Sequence, residues 1–380
     1  MTDAITTRTS TNTTEASNPT HATERLTFGI DLGDRHSHLC VLAPDGRVVE
    51  ESRLQTKPEA FRQRFTGCFP ARIAIEAGSH SPWANSLLAE LGHEVLVANP
   101  RKVRAIYSND KKSDRVDGEQ LARFARLDPK LLSPITQRGM PTRAVLAILR
   151  SRGALVDART QLVNHVRGCV KPFGMRLAAC STRAFATRAA WEIPRELRRA
   201  LVPVLRTTAE LSERIVKFER HIEAIGRERY PETARLRQVD GVGPITALTF
   251  VLTLEDPKRF RKSRSVGAYL GLRPGRGQSG KSDPEMRITK AGDGDLRCLL
   301  VQSGQYILGP FGKDSDLRRF GLELAGRGGR KAKKRAVVAV ARKLAVLLHR
   351  LWVTGADYEP LRHAEGRNPS PRARKVKPVR

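Results

Sequence analysis

The sequence predicts an α/β plus α protein: an N-terminal mixed sheet with helices, a helical and coiled-coil-like middle, and a mostly helical C-terminal domain. Three observations predict it. Short β-rich runs alternate with helical ones from residue 26 to about residue 128. Beyond Pro141 the apolar residues fall at spacings of three and four instead. At 380 residues the chain also exceeds what one compact core usually holds, so two or three folded units are expected.

The elements follow in order. Residues 1–24 are rich in Thr, Ser, Asn and Ala with no apolar segment, which predicts a disordered leader and argues against a secretory signal. Residues 26–32 read as a strand. Residues 36–42 and 47–54 read as a strand pair joined by Pro44, Asp45 and Gly46, residue types that suit a tight hairpin turn. Residues 72–75 and 94–98 are further strands, with a helix around 81–91 between them. Ser113 is the expected cap of a helix running to about Leu127. Leu211, Ile215, Phe218, Ile222 and Ile225 mark an amphipathic helix over 205–225, which core packing, self-association or a coiled-coil hairpin would each explain. Pro231 marks a boundary before a third, mostly helical unit, and the tail beyond Gly366 is basic and flexible. The apolar stretch 336–352 is interrupted by Arg342, Lys343, His349 and Arg350, so it is a buried helix and not a membrane span.

Charge narrows the partners. Lys and Arg total 69 against 39 Asp and Glu, a formal net charge of +30, which favours a polyanion, with nucleic acid ahead of a membrane surface. Residues 138–199 carry 13 cations against three acids, and residues 258–297 carry 11 against four; both are expected nucleic-acid faces. Aromatics are only 5% of the chain, which favours contact with the phosphate backbone over base stacking. The five cysteines form no Cys-x-x-Cys pair, so they are expected to be reduced and the protein cytoplasmic.

The chemistry-bearing residues are acidic. Asp31 ends an apolar strand in Ile30-Asp31-Leu32-Gly33, and Glu76 ends another in Ile75-Glu76-Ala77-Gly78. Two carboxylates at one sheet edge repel each other unless a cation or donors sit between them. Asp114 and Asp117 are spaced to share a helix face with Leu121 and Phe124, and so to look towards the sheet; for Asp114 alone, a favourable place in the first turn of the helix dipole is explanation enough. Four such carboxylates make a hard-oxygen site for Mg²⁺ or Mn²⁺, and two ions roughly 4 Å apart can act on a phosphodiester. His36 and His38 share one strand face, which reads as a polar face before a metal site.

Further along, residues 239–247 (Val-Asp-Gly-Val-Gly-Pro-Ile-Thr-Ala) read as a helix-hairpin-helix-like turn in which Gly241 and Gly243 let backbone N–H groups approach a phosphate; a plain helix connection has the same pattern. Arg273, Lys281 and Lys290 flank a glycine-rich loop containing Ser279 and Ser282. On residue type alone, a serine there is ordinarily a solvated loop serine and only secondarily a candidate nucleophile.

The order Asp31, Glu76, Asp114, Asp117, with its local motifs Ile-Asp-Leu-Gly, Ile-Glu-Ala-Gly and Lys-Ser-Asp-Arg-Val-Asp, resembles the DEDD set of the one-hundred-ten family of bacterial insertion-sequence transposases. The resemblance runs from about residue 26 to residue 352. It implies a RuvC-like, RNase H-like catalytic domain over 25–130, a basic coiled-coil region over 131–230, a C-terminal transposase domain over 231–356 and a tail over 357–380. It also implies that the serine of the Ser-Gly pair, Ser279 here, attacks DNA to form a phosphoserine link, with Ser282 as the nearby alternative. Target and donor DNA, a structured guide (bridge) RNA and assembly into a dimer or tetramer are implied as partners. A metal-only nuclease such as a four-way-junction resolvase, and a non-catalytic nucleic-acid-binding protein, remain open at this point.

Overall fold

Alternating burial builds the N-terminal sheet. In β1 (Thr27–Leu32), Phe28 and Ile30 point to one face and Gly29 to the other; β2 (His36–Leu42) alternates likewise, Leu39 and Val41 opposing Cys40 and Leu42. The computed structural model describes residues 25–106, 114–277, 286–329 and 331–362, which form two compact units dividing between Arg138 and Gly139. The expected leader and the basic end of the tail lie outside the described residues.

β3 (Val48–Gln55) completes an antiparallel hairpin with β2 through a turn in which Ala43 N–H donates to Arg47 O at 2.9 Å. Then come α1 (Pro58–Phe65), β4 (Arg72–Glu76), α2 (Ser81–Glu90), β5 (Glu94–Ala98), α3 (Pro100–Ile106) and α4 (Asp114–Leu127). The sheet order is β3-β2-β1-β4-β5, with β1, β4 and β5 parallel and the other pairs antiparallel. Phe61 and Phe65 of α1 and Leu87 and Leu88 of α2 cover one face of the sheet. Leu121, Ala122 and Ala125 of α4 cover the other, against Ala74, Ala98, Cys40 and Leu42. The five expected strands are present, with ends shifted by no more than a residue or so. Helices α1 and α3 fall where the sequence reading had no element.

The second unit is helical. α5 (Met140–Cys169) leads through α6 (Phe185–Glu192) to α7 (Arg198–Arg229), and α5 and α7 pack antiparallel, as the pairs Arg152 with Glu219 and Arg159 with Ser212 show. The expected amphipathic helix over 205–225 is therefore one arm of a helical hairpin. α8 (Glu232–Leu236), α9 (Pro244–Leu254), α10 (Arg264–Tyr269), α11 (Gly294–Leu308), α12 (Asp316–Gly326) and α13 (Ala332–Thr354) follow. Pro231 does not separate two cores: Val145 and Leu149 of α5, Ile222 of α7, and Leu248 and Leu252 of α9 pack in one cluster. In α13, Ala336, Val340, Leu344 and Leu348 are buried while Arg342, Lys343 and Arg350 are exposed, so the charges that interrupt the stretch lie on its outer side. His349 is buried with both ring nitrogens engaged, by Ser263 Oγ at 3.0 Å and Pro257 O at 2.9 Å. All five cysteines are unpaired, and among the described residues no helix is long and apolar enough to cross a membrane.

Candidate active site

Strand parity decides where the acids go. Asp31 lies two residues beyond Gly29 and Glu76 two beyond Ala74, so both fall on the sheet face that α4 covers. β1 and β4 run parallel in a register that pairs Ile30 with Ile75, which sets Asp31 and Glu76 side by side one residue further on. Both are half-buried at the C-terminal ends of the two central strands. On the other side of β1, the residue paired with Asp31 is His38, which the sequence reading had set aside as part of a polar face.

α4 approaches this edge unusually closely. A Cβ on Gly29 would lie 2.0 Å from Gly118 O and 2.5 Å from Ala122 N, so helix and strand backbones touch there. Asp117 is the residue before Gly118, and a Cβ on Gly118 would lie 3.9 Å from Asp31 N. The buried line of α4 is Gly118, Leu121, Ala122 and Ala125, with Phe124 half-buried, so Asp117 stands at the shoulder of the contact. Asp114 begins the same helix; its side chain and the expected cap Ser113 lie outside the described residues. Among the described residues no group of three or more His, Cys, Asp or Glu is poised to hold a metal ion. The backbone thus brings three of the four positions to one edge, and all four supply carboxylate oxygen.

The loops after β1 and β4 meet at the same edge. His80 Nε2 lies 3.7 Å from Asp34 Oδ1, and His80 Nδ1 accepts a hydrogen bond from Trp83 Nε1 at 3.1 Å, which leaves the Nε2 side of the ring for the carboxylate. The sequence reading passed over His80; its only signal was a position four residues after Glu76.

The second unit holds the other expected residues. Gly241 and Gly243 form the turn between α8 and α9, and Gly241, at φ +83°, packs on Tyr306 and Ile307 of α11. This turn lines a groove of about 670 Å³ with Arg237, Gln302 and Lys313. Tyr358 also lines it, its phenol pushed above the usual range by burial and pulled back by a hydrogen bond from Ser315, so it is protonated at neutral pH.

Arg273 and Lys290 are both exposed, at the base of a loop closed by a short antiparallel ladder: Gly275 N–H donates to Arg287 O at 2.9 Å and Thr289 N–H to Arg273 O at 3.0 Å. Below the ladder two glycines cross. A Cβ on Gly271 would lie 2.2 Å from Ala291 N, and one on Gly292 would lie 2.2 Å from Tyr269 O, with both glycines at positive φ. Arg297 Nη1 ties the crossing by donating to Leu270 O at 3.0 Å and Ala291 O at 2.8 Å. Ser279, Lys281 and Ser282 belong to the loop above this clasp and lie outside the described residues.

The two regions match different family models. Residues 28–174 match a transposase model of the DEDD IS110 type, and residues 233–311 match the model of the IS116/IS110/IS902 transposase family. A Pseudomonas aeruginosa protein named "Probable family 20 transposase" is 31% identical over 341 residues, covering 88% of this chain and 96% of its own. The chain belongs to the IS110 family of insertion-sequence transposases. The transposase for insertion sequence element IS1111A of Coxiella burnetii is 26% identical, covering 87% of this chain and 90% of its own. That for IS1328 of Yersinia enterocolitica is 29% identical over 74% and 83%. In this IS110-family transposase the first matched region spans all four acids, and the second spans both Gly241 and Gly243 and the whole clasped loop.

Proposed function

We propose that this transposase cuts and rejoins DNA with Ser279 as the nucleophile and with Asp31, Glu76, Asp114 and Asp117 as a site for Mg²⁺ or Mn²⁺, in an RNase H-like, RuvC-like domain. One observation carries the reading: Asp31 and Glu76 share an edge and a face, and the Gly29–Gly118 contact brings the start of α4 to them. An all-carboxylate set suits a hard cation, which when bound supplies positive charge to phosphodiester oxygens and favours deprotonation of a hydroxyl.

Ser279 performs the exchange. Its Oγ forms a bond to phosphorus as the bond from phosphorus to one deoxyribose oxygen breaks; the serine gives up a proton and the leaving oxygen gains one. Rejoining reverses the exchange with a different DNA hydroxyl, so bond energy is conserved. The clasp at Gly271 and Gly292 supports this role because it fixes the two chain segments between which Ser279 lies in the sequence. Target and donor DNA are the substrates, a structured guide RNA selects them by base pairing, and the protein acts as a dimer or tetramer. The formal charge of +30 supports a nucleic-acid partner of this bulk.

The test is to stop a reaction in Mg²⁺ by denaturation and look for protein covalently attached to a DNA strand. Wild-type protein gives an adduct whose peptide maps to Ser279, Ser279→Ala gives none, and Ser282→Ala retains it. Attachment at Ser282, or cleavage with free ends by Ser279→Ala, overturns the serine assignment, and the latter points to a metal-only nuclease. Sequencing RNA that co-purifies with the protein from cells carrying its element tests the guide.

A further inference from the structure

At the far end of the α5–α7 hairpin, α6 is held by its inner side: Phe185 and Ala189 are buried against Val163 and Val166 of α5 and Leu201 and Leu205 of α7. Arg167 lies over the Phe185 ring at 5.3 Å and closes that contact. Trp191, two residues beyond Ala189, is on the other side of the helix and is 83% exposed. The other two tryptophans are engaged: Trp83 packs edge-on to Phe61 and donates to His80, and Trp352 lies beside Phe250. Phe69 and Phe311 are exposed as well, so it is the surroundings of Trp191, and not its exposure alone, that point to a partner.

The surroundings say which kind. Between residues 171 and 199 stand seven cations, Lys171, Arg176, Arg183, Arg188, Arg195, Arg198 and Arg199, all exposed. Arg188 precedes Trp191 by three positions, which puts the two on one face of α6. Of the two acids in this stretch, Glu192 is spent on the Ala178 N–H at 2.9 Å, leaving Glu196 exposed. A second copy of this chain would bring the same positive charge to the surface, which disfavours self-association through it. A polyanion that also offers a flat apolar face is a nucleic acid with unpaired bases.

We infer that the tip of the helical hairpin binds an unpaired stretch of nucleic acid, with Trp191 stacking on a base and the surrounding arginines, Arg188 on the same face of α6 among them, holding its phosphates. This differs from the backbone-only contact that the low aromatic content suggests, because the position of one tryptophan matters more here than the number of aromatics. It does not depend on the serine chemistry, since its test reads binding and not cleavage.

The experiment titrates the full-length protein, by intrinsic fluorescence and by anisotropy of labelled probes, with a 12-nucleotide oligo(U), a 12-nucleotide oligo(dT) and a 12-base-pair DNA duplex. Single strands should quench tryptophan emission. Trp191→Phe should lose most of that quenching yet bind within about twofold of wild type, because a phenyl ring still stacks. Trp191→Ala should weaken single-strand binding about fivefold to a hundredfold and leave duplex binding unchanged. The tighter of the two single strands identifies RNA or DNA as the source. Equal weakening on single strand and duplex, absence of quenching, or a change in the mass of the free protein on Trp191→Ala would overturn the inference, the last in favour of a protein contact.

Discussion

Gly29 and Gly118 matter to the acidic edge as much as the acids do. Any side chain on Gly29 would collide with the α4 backbone at 2.0 Å, so Gly29→Ala must push α4 away from β1 and take Asp117 with it. We expect it to cost about 2–3 kcal/mol, as overpacking does, and to abolish strand exchange with every carboxylate still present; urea unfolding and a recombination assay measure the two effects. The acids should separate these properties. Asp31→Asn, Glu76→Gln, Asp114→Asn and Asp117→Asn should each abolish strand exchange while changing stability by about 1 kcal/mol or less, because none opens an apolar core. A folded Asp31→Asn protein that recombines fully in Mg²⁺ contradicts the metal site. Gly271 belongs to the same class as Gly29: at φ +69° with a backbone atom 2.2 Å from any Cβ, it tolerates no side chain.

At the scale of elements, α9 connects the two parts of the second unit. Its residues alternate between cores, with Leu248 and Leu252 facing α5 and α7, and Phe250, Val251 and Leu254 facing α11 and α13. Nine of its eleven residues are buried, among them Thr246, Thr249 and Thr253, so even the helix's three hydroxyls face protein and it presents no solvated side. We therefore predict that the hairpin and the C-terminal helices unfold together. Leu248→Ala, at a site with no exposure, should cost about 2–5 kcal/mol and shift hairpin unfolding, followed by labels on α5 and α7, and Trp352 fluorescence by the same amount. A hairpin that melts apart from Trp352 would show two independent cores.

For the whole molecule, charge sets the conditions under which function can be observed. With 69 cations against 39 acids, and dense positive stretches in both 138–199 and 258–297, binding to DNA should fall steeply with salt. If six to ten phosphates are neutralised, affinity should drop by about 10³- to 10⁵-fold between 50 and 200 mM salt. Anisotropy with a labelled duplex measures the slope, and affinity that does not change with salt would refute an electrostatic interface. With a labelled single strand in place of the duplex, alanine at Arg188 and Arg195 should reduce the slope without removing it, since the C-terminal stretch remains.

Much of this was legible from sequence because it is local. Strand alternation, the Pro44-Asp45-Gly46 turn, the acid-ended motifs and the amphipathic repeat of residues 205–225 are each written within a few residues, and steric and solvation preferences act at that range. The order of the four acids was also enough to carry the family resemblance. The tertiary structure alone decided what depends on distant pairs: that Gly29 must be bare because Gly118 crosses it, that His38 and His80 stand at the acidic edge, that Gly271 and Gly292 clasp a loop, and that the middle and C-terminal segments share a core across Pro231. Composition counted the aromatics, but only packing showed that Trp191 is left outside. The physical reason is the same in each case: local pattern says which face of an element avoids water, whereas only the folded chain determines what that face meets.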